Sequence, residues 1–317
     1  MMRNSTLDIL RIVACFAVVG IHVYAPVFQT APVQSALWWQ ANLVTAFSRW
    51  SVPVFVMLSG YLLLDKPYNL SRRLLRIGIP LIVWTAIYLL FTHLFYEQLS
   101  LEQVLRKIIS GKPYYHLYFL FIMLGLAVVT PLLNRVLAYL TRSQFRAMLG
   151  ILFLLVIAHK LLGLIWPQIV MEPNAFTFFI RFLPFYLLGY EVRDWRVSPR
   201  VLIPVFLFMC LLAAGWNAMA YIYWHKNAYA FAYLNPLIIL TALLLFLLAL
   251  QMPVFPIPKY ILHLSDCTLG IYLIHPIWLA MGVSFLPPIV LWCAAFLLSY
   301  GCIAFVRTIP LARNFVG

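Results

Sequence analysis

The chain has 317 residues, 65% of them hydrophobic and only 9% charged, against about 25% charged in a soluble domain. That excludes a soluble globular enzyme and describes an integral membrane protein. The net charge of +14 would suggest nucleic acid in a soluble chain, but the basic residues sit mostly in short connections between apolar runs, so orientation in a bilayer is the better reading and no nucleic-acid partner is expected.

In chain order, apolar windows long enough to span fall at about 6–27, 38–64, 75–96, 114–134, 145–165, 175–190, 199–223, 232–250, 262–285 and 288–308. The expected fold is therefore all-α: a polytopic membrane protein of about ten transmembrane helices. No small-residue cleavage site follows the first window, which reads as an uncleaved span rather than a signal peptide. The stretch 97–113 is the largest loop, and the ninth and tenth spans share a turn at Leu286-Pro287-Pro288. No internal repeat or linker marks a second unit, so 1–317 reads as one transmembrane domain without a fused extracytoplasmic one.

Loop charge sets the sidedness. Lys66, Arg72, Arg73 and Arg76 follow the second span; Arg135, Arg142 and Arg146 the fourth; Arg193, Arg196 and Arg200 the sixth; Lys259 the eighth; Arg307 and Arg313 end the tenth. The alternate loops carry little: Glu172 in one, Lys226 in another. Only 97–113, with both signs, blurs the pattern. Both termini are expected in the cytoplasm.

The five cysteines (Cys15, Cys210, Cys267, Cys293, Cys302) have no paired spacing, so they imply neither a disulfide framework nor a metal site. Charges inside the membrane are costly and point to function. In "LRIVACFAVVGIHVY", Arg11 and His22 are eleven residues apart, about three helical turns, hence on one face with Asp8, Cys15 and Val18 and roughly 16 Å apart along the axis. Arg49 in "FSRWSVPVFVMLSG", His116 in "YYHLYFL", Arg181 in "FFIRFLPFYLLG" and His275 in "GIYLIHP" come from other spans at a similar depth, the middle and outer half of the membrane. Each has a plain alternative. Arg49 and Arg181 can snorkel to headgroups, His116 can be an interfacial anchor, and His275 can bond a backbone carbonyl exposed by Pro276. Lys160 reads as a snorkelling anchor. At the inner edge, Arg72 and Arg76 share a face at i, i+4 near Arg11, either as plain positive-inside anchors or as forks for the phosphates of a cytosolic ligand.

Taken together these stretches resemble the acyltransferase-3 family of bacterial membrane proteins over nearly the whole chain. The resemblance rests on "LDxLR" (Leu7, Asp8, Leu10, Arg11) with a histidine at His22; on "SRWSVPVFVMLSGYLL" with Arg49, Pro53, Ser59, Gly60 and Tyr61; on "RRLLRIGIP"; on "HLYFL" at His116; and on "SDCTLGIYLIHP" with Tyr272 and His275. It implies an enzyme of the bacterial inner membrane that moves an acyl group, usually acetyl, from cytosolic acyl-CoA (acetyl-CoA) to a hydroxyl of a surface polysaccharide or lipid-linked glycan, with no metal. On that reading Arg11, Arg72, Arg73 and Arg76 contact the CoA phosphates and His22 is the general base. Arg49, His116, Arg181 and Tyr272 are candidate donors to the thioester oxyanion, and His275 is a further candidate catalytic residue. Cys15 on the same stripe could carry the acyl group, although a buried thiol is usually inert. The competing class is a transporter or flippase for a lipid-linked oligosaccharide or small anion, against which stands the lack of a mid-membrane acidic residue.

Overall fold

The computed structural model describes every residue except 1–3, 169, 225–228, 282–285, 311 and 317; Lys226, counted above among the loop charges, and the end of the ninth apolar window lie outside the described residues. Those described form α-helices and short 3-10 turns, with no strand. Seven segments among them are long and apolar enough to cross a bilayer: Ser5–Thr30, Ala36–Leu63, Leu70–Phe95, Tyr118–Tyr139, Arg142–Ile165, Pro199–Tyr223 and Pro288–Val306. The protein is a multi-pass membrane protein.

The chain divides into two compact units, Met1–Phe55 with Val192–Val306, and Val56–Glu191 with Arg307–Gly317. In the first unit, α1 (Ser5–Thr30) packs against α2 (Ala36–Ala46), α10 (Pro236–Gln251), α11 (Lys259–Ala280) and α12 (Pro288–Val306), while α9 (Pro199–Trp224) packs on α2 and α10. Asn4 starts α1: its side chain accepts from the amides of Thr6 and Leu7 at 3.0 and 3.4 Å, satisfying donors that a helix start leaves open. Gly20 leaves room for the Trp292 ring, which stacks on Phe16 and donates to its carbonyl at 2.7 Å. Between α2 and α9, Asn42 donates to the Ala214 carbonyl at 3.0 Å and accepts from Asn217 at 2.9 Å, a buried polar link that satisfies groups lipid could not.

The second apolar window, expected as one helix, is two. The chain turns at 47–50 before α3 (Ser51–Leu63) begins. The cause is Pro53: in a continuous helix its ring would collide with the carbonyl four residues back, that of Arg49. The indole of Trp50 donates to the Phe47 carbonyl at 2.6 Å, occupying an oxygen released by the break.

In the second unit, α4 (Leu70–Phe95) and α8 (Phe178–Glu191) both pack on α6 (Tyr118–Tyr139), and α7 (Arg142–Ile165) packs on α8. A methyl on Gly60 would overlap the Tyr186 carbonyl and one on Gly189 the Met57 carbonyl, so the α3 and α8 backbones meet across two glycines, the close approach that small residues permit in membranes. Two expectations are corrected here. The loop 97–113 contains α5 (Leu101–Ile109), started by a capping box of Ser100 and Gln103. Four of its five charges are paired, Arg106 with Glu102 and Lys107 with Glu97, while Lys112 lies over the Phe178 ring. His116 lies in the turn before α6 rather than inside the span.

Candidate functional site

The first unit gathers five of the expected residues, Arg11, His22, Arg49, Tyr272 and His275, along and beside one seam. The stripe read from α1 is a packed face, with Asp8, Cys15 and Val18 all at most 2% exposed. It runs alongside α11 in the same direction. Near its start Ser265 donates to Asp8 Oδ1 at 2.8 Å. Further along, the Cys15 thiol donates to the Thr268 carbonyl at 3.4 Å. Seven residues on in both helices, the rings of His22 and His275 stand 5.2 Å apart. Two stretches distant in sequence, "LDxLR" and "SDCTLGIYLIHP", thus form one strip with a cation at one end and an imidazole pair at the other.

At the cation end, Arg11 Nη1 lies 3.1 Å from Asp8 Oδ1, and its side chain is 31% exposed beside an almost wholly buried carboxylate. One oxygen of Asp8, Oδ1, therefore accepts from both Arg11 and Ser265. Sequence reading placed Asp8 on the stripe without giving it this role; its i, i+3 spacing to Arg11 was the available signal.

At the other end, Pro276 supplies no N–H to the helix ladder, so the Tyr272 carbonyl loses its usual donor. His275 Nδ1 stands 2.7 Å from that oxygen and 3.3 Å from the Ile271 oxygen. A carbonyl only accepts, so Nδ1 carries the hydrogen and the neutral ring keeps its lone pair on Nε2. The plain alternative considered for His275 is thus present, and it also fixes the tautomer. The Tyr272 ring lies 5.9 Å from the His275 ring, so Tyr272 contributes its backbone oxygen as well as its side chain. Pro26 removes the donor for the His22 carbonyl in the same way.

Arg49 sits at the break between α2 and α3. Its Nη1 donates to the Tyr233 hydroxyl at 3.3 Å, with its guanidinium carbon 5.2 Å from the centre of that ring, and its charge is close enough to act on His22. The guanidinium is half-buried, and its Nε is buried with no hydrogen-bond partner. Tyr233 is a partner that the sequence did not single out; it lies in a turn before α10, with no periodic signal to mark it.

The other expected residues lie in the second unit, in three separate settings. Arg72, Arg73 and Arg76 occupy the first two turns of α4, whose cap, Asn69, accepts from the Arg72 amide at 2.9 Å. No acidic residue stands in that first turn, so three cations face the positive end of a helix dipole and the place favours an anion. Beside them the Tyr68 hydroxyl donates to the Ala127 carbonyl at 3.0 Å, an oxygen released by Pro131. Burial pushes the Tyr68 phenol above its ordinary value, moderated by Thr130 and the Arg73 charge. His116 is fully buried among aromatic rings, 4.9 Å from Tyr88 and 5.8 Å from Tyr114. Arg181 lines a cavity between α7 and α8, and its Nη1 lies 4.0 Å from Glu172 Oε2. A buried carboxylate that the sequence reading passed over, Glu191, holds Arg146 at 2.7 Å and so ties α7 to α8. Among the described residues no cluster of His, Cys, Asp and Glu could hold a metal ion.

The strip joins an arginine at one end to a paired imidazole at the other inside a multi-pass helical protein. The chain belongs to the acyltransferase-3 family: that family's acyltransferase domain matches residues 4–311. Neither the curated proteins nor the solved structures give a match. The protein is a membrane acyltransferase.

Proposed function

We propose that this acyltransferase is an O-acetyltransferase of the bacterial inner membrane, crossing it ten times with both termini in the cytoplasm. It would take acetyl from cytosolic acetyl-CoA and deliver it to a hydroxyl of a surface or lipid-linked polysaccharide. The order and wording of its motifs are most like those of the enterobacterial common antigen O-acetyltransferases, which makes a surface glycan the acceptor class.

The observation that carries this reading is the α1–α11 strip, with Arg11 held by Asp8 at one end and the His22–His275 pair at the other. Roughly 16 Å of helix between Arg11 and His22 suits an extended pantetheine arm with its phosphates at the inner edge. Arg11 is proposed to bind those phosphates, and the Arg72, Arg73 and Arg76 patch of the second unit is the other candidate for that anion. His22 takes the proton of the acceptor hydroxyl as its oxygen attacks the thioester carbonyl. The carbonyl electrons move to the oxygen, and on their return the carbon–sulfur bond breaks and the CoA thiolate leaves, to be protonated. Preorganised donors hold the oxyanion between these steps, with Arg49 and Tyr272 the candidates in the first unit; His275, whose one N–H goes to the Tyr272 carbonyl, has no hydrogen to offer it. His275 stands beside the base in a fixed, neutral tautomer, its ring 5.2 Å from that of His22, and steadies the imidazolium that forms on His22. Cys15 gives its hydrogen to a backbone carbonyl inside the α1–α11 packing, so a direct transfer without a cysteine intermediate is favoured.

The test is covalent. Purified protein in nanodiscs, given acetyl-CoA labelled in the acetyl group, should move label to glycan and release free CoA. Label left on CoA while glycan or anion crosses the membrane would establish the transporter instead.

A further inference from the structure

The cavity at Arg181 has a chemistry that the acyl-transfer strip does not use. It has a volume of about 360 Å³, near the lower end of ligand pockets. Its walls are α7, the 171–177 segment and the first turns of α8. They are apolar, with Leu155, Met171 and Ile180 all exposed large hydrophobics. Only 11% of the α7 window is buried inside the protein, so this helix gives most of its surface to lipid. One cation projects into this apolar setting. Arg181 is 19% exposed, and among the described residues its acidic neighbour is Glu172, 76% exposed and 4.0 Å away, too far for a hydrogen bond. His159, also on the lining, adds a second donor.

We propose that this cavity binds a single-chain lipid phosphate, the polyprenyl-phosphate end of a lipid-linked glycan acceptor. The apolar walls take the start of the isoprenoid chain, and Arg181, assisted by His159, takes the phosphate oxygens in place of the loosely held Glu172. A guanidinium fork matches phosphate geometry, and a pocket of this size takes one chain rather than the two of a glycerophospholipid. Arg181 thereby becomes an acceptor-binding residue in place of an oxyanion donor. This deepens the proposed O-acetyltransferase reading by naming its acceptor class, and it rests on that reading for the glycan though not for the lipid phosphate.

The test uses the full chain in nanodiscs of zwitterionic lipid, with farnesyl phosphate as probe, farnesol as its uncharged control and phosphatidylglycerol as competitor, read by native mass spectrometry. Farnesyl phosphate should be retained and farnesol not. Arg181→Gln should weaken retention about tenfold or more, as expected for a lost charge-assisted bond. Glu172→Gln should tighten it, and Arg181→Lys should keep part of it. Thermal melting confirms that each variant is folded, and Glu172→Gln and Arg181→Lys carry the test if Arg181→Gln does not fold. Retention unchanged in Arg181→Gln, weakened in Glu172→Gln, or competed mole for mole by phosphatidylglycerol would each overturn the assignment. Lipid-phosphate binding without any acetyl transfer would sink the enzymatic reading and leave this site standing.

Discussion

His275 Nδ1 lies 2.7 Å from the Tyr272 carbonyl oxygen, the acceptor that Pro276 strips of its helical donor. One missing N–H thereby decides which nitrogen of the ring carries the hydrogen and which keeps the lone pair. The order Tyr272, His275, Pro276 is thus a local device: carbonyl, imidazole and the residue that frees the carbonyl for it.

Restoring the missing donor should undo the device. In Pro276→Ala the new amide competes for the Tyr272 oxygen and loosens the His275 tautomer. The helix itself should be at least as stable, since an interior proline is unfavourable. Turnover is expected to fall by up to roughly tenfold, the worth of one ordinary hydrogen bond, while the melting temperature holds or rises. A fall in both would make Pro276 a packing residue and nothing more.

Gly60 and Gly189 test the packing within the second unit. Gly60→Val pushes a side chain onto the Tyr186 carbonyl, a backbone atom that cannot swing away, and overpacking costs about 1–3 kcal/mol. The expected result is a lower melting temperature and poorer recovery of folded protein, with Gly78→Ala as the control because a methyl there meets nothing. Equal melting of the two variants would remove the glycine crossing from the account.

Sidedness follows from the loop charges. Single cysteines at residues 31 and 172 should react with an impermeant thiol reagent in intact cells, and those at residues 69 and 196 only after the inner face is opened. Labelling of residue 69 from outside would place the Arg72–Arg76 patch away from cytosolic acyl-CoA and remove its proposed ligand.

How much of this was legible in the sequence depends on the range of the interaction. The α1 stripe was readable because helical periodicity alone fixes which residues share a face, and its buried members Asp8, Cys15 and Val18 follow it. The α11 partners were not, since Ser265, Thr268 and His275 meet that stripe from some 250 residues away and nothing local encodes the register. The break at Arg49 carried a local signal in Pro53, outweighed by the unbroken hydrophobicity on both sides. The α5 helix was hidden by its polarity: a search for apolar windows passes over an amphipathic segment, though Ser100 and Gln103 spell a capping box. Tyr233, the partner of Arg49, sits in a turn where no pattern marks a functional residue.

The central claim is that the two ends of the strip do different work, an anchor at Arg11 and a base at His22, and the kinetics of Arg11→Gln and His22→Ala on protein in nanodiscs test it most directly. If Arg11 holds the donor phosphates, its loss removes binding worth about 1.5–3 kcal/mol, and KM for acetyl-CoA should rise roughly ten- to hundredfold with kcat nearly kept. If His22 is the base, kcat should collapse by roughly 10²–10⁴-fold with donor affinity nearly intact. Equal losses in both parameters from either change, in variants that melt like the native protein, would make the pair a structural unit, and a His22 that governs donor affinity while Arg11 governs turnover would contradict the mechanism outright.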